Sequence, residues 1–209
     1  MTFRRSRDPG SSMRPPLRPV HRILFIFPPA RLHREGVKQA MPPMGAASLA
    51  AVVRDRCDVQ ILDAVAEGFD HEVTSSHGFF VYGLSMEEIR WRIGEFRPDM
   101  VGITCLYSSV FPVVAELCAL SKEAAPDAFT VVGGTHPTFL PERCLAEVPA
   151  LDMIALGEGE PVLLDLLDAL NAGRSLSGVE GLAYREDGGV RVNPKTKLVR
   201  STDAGRVPS

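Results

Sequence analysis

Five short apolar runs, separated by segments of helical pattern, constrain this chain more than any other feature. They are "RILFIF" (22–27), "DVQIL" (58–62), "MVGIT" (100–104), "FTVVG" (129–133) and "DMIAL" (152–156). Continuous apolar runs of this length, without strict alternation, suit parallel strands covered on both faces. Helical segments follow: "MGAASLAAVVRD" (44–55), "SMEEIRWRIGEF" (85–96), "FPVVAELCALSKEAA" (111–125), "PERCLAEV" (141–148) and "EPVLLDLLDALNAG" (160–173). Ser85 and Glu88 stand at capping-box spacing, Pro161 falls in a first turn, and Gly173 marks a stop. The rhythm predicts an α/β, doubly wound (Rossmann/flavodoxin-like) fold with a five-stranded parallel sheet.

Two stretches break the rhythm. Residues 64–84 are too long for an ordinary connection and are expected to form an excursion. Residues 179–193 predict a C-terminal β-hairpin turning through Glu186, Asp187, Gly188 and Gly189. The expected organisation is a disordered basic Pro/Arg-rich arm (1–20), a core domain (21–178), a hairpin extension (179–195) and an unstructured tail (196–209).

Charge and cysteine content exclude several classes. The chain has 209 residues and a formal charge of −3, which gives no sign of nucleic-acid binding over its length. Residues 1–22 carry six arginines against one aspartate, but lack the amphipathic pattern of a transit peptide. There is no secretory apolar region and no run of about 18 apolar residues to span a membrane. Cys57, Cys105, Cys118 and Cys144 are scattered without a C-x-x-C or Cys/His cluster, so a reduced, cytoplasmic compartment is expected and no zinc or iron–sulfur site can be assembled.

In doubly wound sheets ligands bind beyond the carboxyl ends of the strands. The loops there read "PPARLHREGVKQAMPPMG" after the first run, then "CLYSS", "GTHPT" and "GEGEP" after the third, fourth and fifth. A dinucleotide fingerprint and a P-loop are both missing after the first run. An acidic phospho-acceptor pair is missing there too, as is a hydroxyl-rich flavin phosphate loop.

The ordered set "PPMGAASLAAVV", "FRPDMVGITCLYSS", "VVGGTHPTFLPE" and "LDMIALGEGEPVLLDLL" resembles the cobalamin-binding domain of B12-dependent radical SAM enzymes. The resemblance covers roughly residues 21–195. It implies base-off cobalamin, its benzimidazole detached from cobalt and its nucleotide tail threaded into the sheet. Thr104 and Leu106 stand where B12-binding folds carry a Ser/Thr-x-Leu element facing that tail, and Gly133 and Gly134 are implied to line the same slot. Thr135, His136 and Pro137, with Gly157, Glu158 and Gly159, are implied to border the corrin rim. Pro43, Met44 and Gly45 are the implied turn to the first helix, and Leu106, Tyr107 and Ser108 the implied surface under the cobalt.

Plainer roles stand beside these. Gly133-Gly134 also suits a tight strand-to-helix turn, and His136 a bond within its own loop. Glu158 and Glu160 suit a helix dipole, and Asp63 a cap. Methyltransferase-type B12 domains supply a cobalt ligand from D-x-H-x-x-G. Here "RLHREG" keeps His33 and Gly36 but has Arg31 for the aspartate, so His33 is expected to be an exposed loop histidine with no metal role. The C-x-x-x-C-x-x-C of a radical SAM barrel is missing, so neither an iron–sulfur cluster nor an S-adenosylmethionine site is expected in this chain. The resemblance thus implies a cobalamin-binding part of a methyltransferase-like radical SAM enzyme, not catalytic alone and partnered by a barrel in cis or trans. A stand-alone B12 carrier or sensor module is the alternative.

Overall fold

The computed structural model describes residues 18–75, 77–186 and 188–195. The arm before residue 18 and the tail from 196 lie outside the described residues, as does Asp187 of the hairpin turn.

In chain order the elements are β1 (Arg22–Phe27), β2 (Ala30–His33), α1 (Met44–Val53), β3 (Asp58–Asp63), α2 (Ala64–Glu67), β4 (Glu72–Thr74), β5 (Phe79–Tyr82) and α3 (Met86–Phe96). They continue with β6 (Met100–Thr104), α4 (Phe111–Ala124), β7 (Phe129–Gly133), α5 (Thr135–Phe139), α6 (Pro141–Glu147), β8 (Met153–Ala155), α7 (Gly159–Asn171), β9 (Leu182–Glu186) and β10 (Gly189–Val192). Short 3-10 turns cover Ser108–Val110 and Leu176–Gly178.

The main sheet has the order β10-β9-β8-β7-β6-β1-β3, seven strands rather than the expected five. The five apolar runs do form parallel strands. The two extra strands are the C-terminal hairpin, which joins the sheet through an antiparallel β8–β9 ladder, Met153 opposite Tyr184. The reason is local. Leu182, Ala183 and Tyr184 are buried in succession, so β9 is covered on both faces and is an interior strand, not an appendage.

Successive side chains of a strand face opposite ways, and β1 shows the consequence. Leu24 and Ile26 pack with Ile89, Ile93, Leu117 and Leu145 of α3, α4 and α6. Ile23 and Phe25 pack with Val53 of α1 and Leu166, Leu167 and Leu170 of α7. Helices therefore cover both faces. At one end, Val20 is fully buried and its amide donates to Asn171 Oδ1 at 2.8 Å.

The chain passes from β1 to β3 on one side, then returns to place β6 on the other. This reversal opens a crevice beyond the carboxyl ends of β1 and β6, the usual ligand position in such sheets. The excursion supplies its outer wall. Residues expected as loop form a second sheet, β2-β5-β4, built from the segment after β1 and from residues 72–82. Tyr82 ties residue 39 to this sheet: its hydroxyl accepts from Gln39 N at 3.1 Å and donates to Gln39 O at 3.0 Å.

Two caps match their sequence signals. Ser85 Oγ accepts from Glu88 N at 3.2 Å while Glu88 Oε2 accepts from Ser85 N at 2.9 Å, a closed capping box. Asp63 caps α2 by accepting from Ala66 N at 3.0 Å. Among the described residues no helix is long and apolar enough to cross a membrane.

Candidate functional site

Two cavities open at the carboxyl end of the sheet and share Thr104 and Leu106. The first, about 330 Å3, lies between the sheet and helices α1 and α7. Its floor is β6 and β7, with Gly102, Thr104 and Gly133; Leu49 and Val162 form part of its walls, and Gly157, Glu158 and Gly159 its lip. The second, about 270 Å3, lies beside the small sheet and includes Arg31, Leu32, Tyr82 and Tyr107.

Two floor positions of the first cavity lack side chains, for different reasons. At Gly102 a Cβ would come within 2.7 Å of Phe25 Cδ1, so the glycine lets the Phe25 ring lie across β6. At Gly133 the nearest atoms to a Cβ would be Ala155 Cβ and O, both 3.9 Å away. Among the described residues nothing crowds a Cβ there, so the space is left open. Thr104, at the end of β6, lines both cavities, and its Oγ1 makes no hydrogen bond to the described residues.

Gly134 differs from its neighbour. Its φ is +116° and a Cβ would fall 2.5 Å from the Cys105 carbonyl oxygen, so the fold itself demands glycine. This sharp exit from β7 sends the chain into α5. There Thr138 Oγ1 donates to Gly134 O at 2.7 Å and accepts from Gly157 N at 3.0 Å. Thr138 thereby joins the β7 and β8 loops.

Of the sequence-selected residues, Gly45, Thr104, Leu106, Gly133, Gly134, Gly157, Glu158 and Gly159 line the first cavity, and Tyr107 the second. Pro43, Met44, Ser108, Thr135 and His136 line neither cavity. Pro43 and Met44 start α1, with Met44 exposed. Ser108 and His136 meet each other instead, Oγ to Nδ1 at 2.8 Å, so His136 bonds across to the β6 loop rather than within its own. The His136 ring lies 4.6 Å from Phe111, and its pKa is lowered by burial and by nearby Arg143. Phe25, Gly102, Leu49 and Thr138 were not singled out from the sequence; the isolated glycine within "MVGIT" was the available signal for the first two.

His33 and Arg31 also depart from the sequence expectation. Both belong to β2, a strand of the small sheet, rather than to a loop. His33 meets the edge of Phe79, ring centroids 5.4 Å apart, and lines neither cavity. The Arg31 guanidinium sits 4.0 Å from the Phe79 ring centroid and donates weakly to Ser109 O at 3.5 Å. Glu160, assigned to the α7 dipole, also accepts from Ser48 Oγ at 2.5 Å and so links α7 to α1.

The lining of the first cavity is mostly apolar, with Thr104, Glu158 and Glu160 as its polar residues. Cys105, behind the cavity, is buried and its thiol is pushed up to about 12 by desolvation, which keeps it protonated at neutral pH. All four cysteines are buried and free. Among the described residues no cluster of histidine, cysteine and carboxylate side chains could hold a metal ion.

Comparison with known proteins identifies the family. Residues 32–167 match the B12 binding domain family. The chain is 35% identical over 194 residues to an uncharacterized methyltransferase, PH0819, of Pyrococcus horikoshii, covering 91% of this chain and 38% of that protein. It is also 35% identical over 192 residues to cytidylyl-2-hydroxyethylphosphonate methyltransferase of Streptomyces wedmorensis, covering 90% of this chain and 36% of that one. The chain thus spans little more than a third of the length of these relatives. Its fold is shared with the radical S-adenosylmethionine methyltransferase TsrM of Kitasatospora setae, solved with cobalamin and a [4Fe-4S] cluster bound. There the TM-score is 0.65 at 21% identity, covering 87% of this chain and 30% of that one. With the family match running over most of the sheet and over the loops that enclose the first cavity, this chain belongs to the B12-binding domain family.

Proposed function

We propose that this chain is the cobalamin-holding domain of a radical SAM enzyme of methyltransferase type, working with a catalytic barrel carried in the same polypeptide or in a partner. The observation that carries the reading is the open floor at Gly133: a deep, largely apolar cavity at the topological switch point, with room the protein does not fill. The residues present fit the cofactor's nucleotide tail. Gly102 and Gly133 leave a flat floor, Thr104 Oγ1 offers a free hydroxyl, and Leu49 and Val162 supply apolar walls. Leu106, shared by both cavities, and Tyr107, which lines the second, are 40% and 63% exposed and are the proposed surface for the corrin.

When bound, cobalamin supplies a cobalt centre able to carry a methyl group. The chain's own residues bind and orient. A tail held on the Gly133 floor keeps its base away from cobalt, so the proposed state is base-off. His33 is held in β2 against Phe79 and lines neither cavity, so it is not proposed as a ligand to the metal. The relatives' names support the enzyme class, and the buried, unpaired cysteines agree with a reducing, cytoplasmic setting.

The test is reconstitution with hydroxocobalamin followed by desalting. The expected result is about one cobalamin per chain, with a protein-bound visible spectrum. After reduction to Co(II), electron paramagnetic resonance lines without nitrogen splitting are expected in the parent and in His33→Ala alike. Colourless protein after desalting would refute cobalamin binding. A three-fold splitting lost in His33→Ala would refute the ligand assignment alone.

A further inference from the structure

The lip of the first cavity is held by a residue far away in sequence. Lys195 Nζ donates to Glu158 O at 2.7 Å and to Leu156 O at 3.4 Å, bracketing Gly157. Gly157 has φ +66°, a turn that exposes the carbonyls on either side. Lys195 is itself fixed in place by Asn193, two residues earlier. The buried Asn193 side chain donates to Leu176 O at 2.8 Å and to Val179 O at 2.9 Å. Its backbone N donates to Leu182 O at 2.9 Å and its carbonyl accepts from Gly181 N at 3.2 Å. The opposite side of the same loop is held by Thr138 through Gly157 N.

The charge of this residue is informative. Glu158 is the N-cap of α7, and the positive end of a helix dipole disfavours a cation beside it. Acids already stand at this helix start in Glu158 and Glu160, so helix stability does not call for the lysine. What an ammonium does supply is several donors on a flexible stem, enough to hold two carbonyls at once.

We infer that Lys195 is a positioning residue for the cofactor site: anchored by Asn193, it holds the Gly157–Gly159 lip over the first cavity and couples the segment after β10 to cofactor retention. The inference rests on the cobalamin reading above. Displacing residues 193–195 frees the lip on one side and leaves Thr138 as its other brace.

Lys195→Met keeps an unbranched apolar stem and removes the donors; Lys195→Arg restores donors. Three measurements separate the outcomes: hydroxocobalamin affinity and dissociation rate, the melting temperature without ligand, and amide hydrogen exchange of residues 157–159 without ligand. In Lys195→Met, affinity is expected to fall by about tenfold, chiefly through faster dissociation, the size of effect given by losing a charge-assisted hydrogen bond. Exchange at the lip rises, and the melting temperature stays within about 2 °C of the parent, as for other surface changes. Lys195→Arg returns affinity to within about threefold of the parent.

Parental affinity in Lys195→Met overturns the inference. So does an affinity loss that Lys195→Arg does not rescue, or one accompanied by a general drop in melting temperature. A parent chain that binds no cobalamin overturns the functional reading and the positioning role with it. Parental binding with an unaffected Met variant overturns the positioning role alone.

Discussion

Gly133→Val is expected to weaken cobalamin binding by roughly 10–100-fold while leaving the ligand-free protein as stable as the parent or slightly more so. Both effects follow from the space around residue 133. Among the described residues a Cβ at residue 133 meets Ala155 at 3.9 Å, an ordinary contact, so the backbone position accepts a side chain. Residue 133 ends β7, has ordinary negative φ, and a β-branched residue suits a strand. Replacing glycine also narrows the unfolded ensemble, worth up to about 1 kcal/mol where the backbone is compatible. The valine methyls, however, project into the cavity proposed for the tail. Overpacking of this kind costs about 1–3 kcal/mol, which corresponds to roughly 10–100-fold weaker binding. Equilibrium titration with hydroxocobalamin reads the affinity, and thermal melting without ligand reads the fold. A folded valine variant with parental affinity would show that the ligand does not occupy the Gly133 floor.

The parallel core of this architecture was legible because its strands are buried on both faces and read as unbroken apolar runs; β1, β6 and β7 have the expected bounds. The rest of the sheet shows why such reading stops. β9 carries the short run Leu182-Ala183-Tyr184, too brief to distinguish an interior strand from a free hairpin arm. Whether it joins the sheet depends on the β8 edge, which no local pattern records. The small sheet was less legible still. β2 is "ARLH" and β4 is "EVT", three or four residues mixing charged with apolar, and among the described residues each pairs only with β5. Strands this short owe their existence to the partner rather than to their own propensity.

The site divides in the same way. Loops at strand ends are local and carry their own composition, so Thr104, the glycine pair and "GEGE" could be picked out directly. Contacts between loops could not. Thr138 meets Gly157, and Lys195 meets Glu158, only after separate strands have brought those loops side by side. His136 shows the limit most clearly: its partner Ser108 was also singled out, but the bond between them belongs to neither loop alone.

The glycine pair was read as a unit, and the structure gives its members opposite roles, which leads to a second large effect. Gly134→Ala is expected to destabilise the fold itself, by roughly 2–4 kcal/mol. Two costs combine. The φ of +116° with ψ of −176° lies in a region essentially reserved for glycine, which costs a residue with a side chain about 1–3 kcal/mol. The new methyl would also lie 2.5 Å from the Cys105 carbonyl oxygen and 3.2 Å from its nitrogen. That carbonyl accepts from His136 N at 3.3 Å, and Cys105 N donates to Gly133 O at 2.7 Å, so backbone on both sides is already committed and yields at the expense of these bonds. For a chain of this size the melting temperature should fall by roughly 5–15 °C. Thermal melting without ligand is the measurement, run beside Gly133→Val. A Gly134→Ala variant that melts within about 2 °C of the parent would mean that the β7 exit can relax without this glycine, and the division of labour between the two positions would fail.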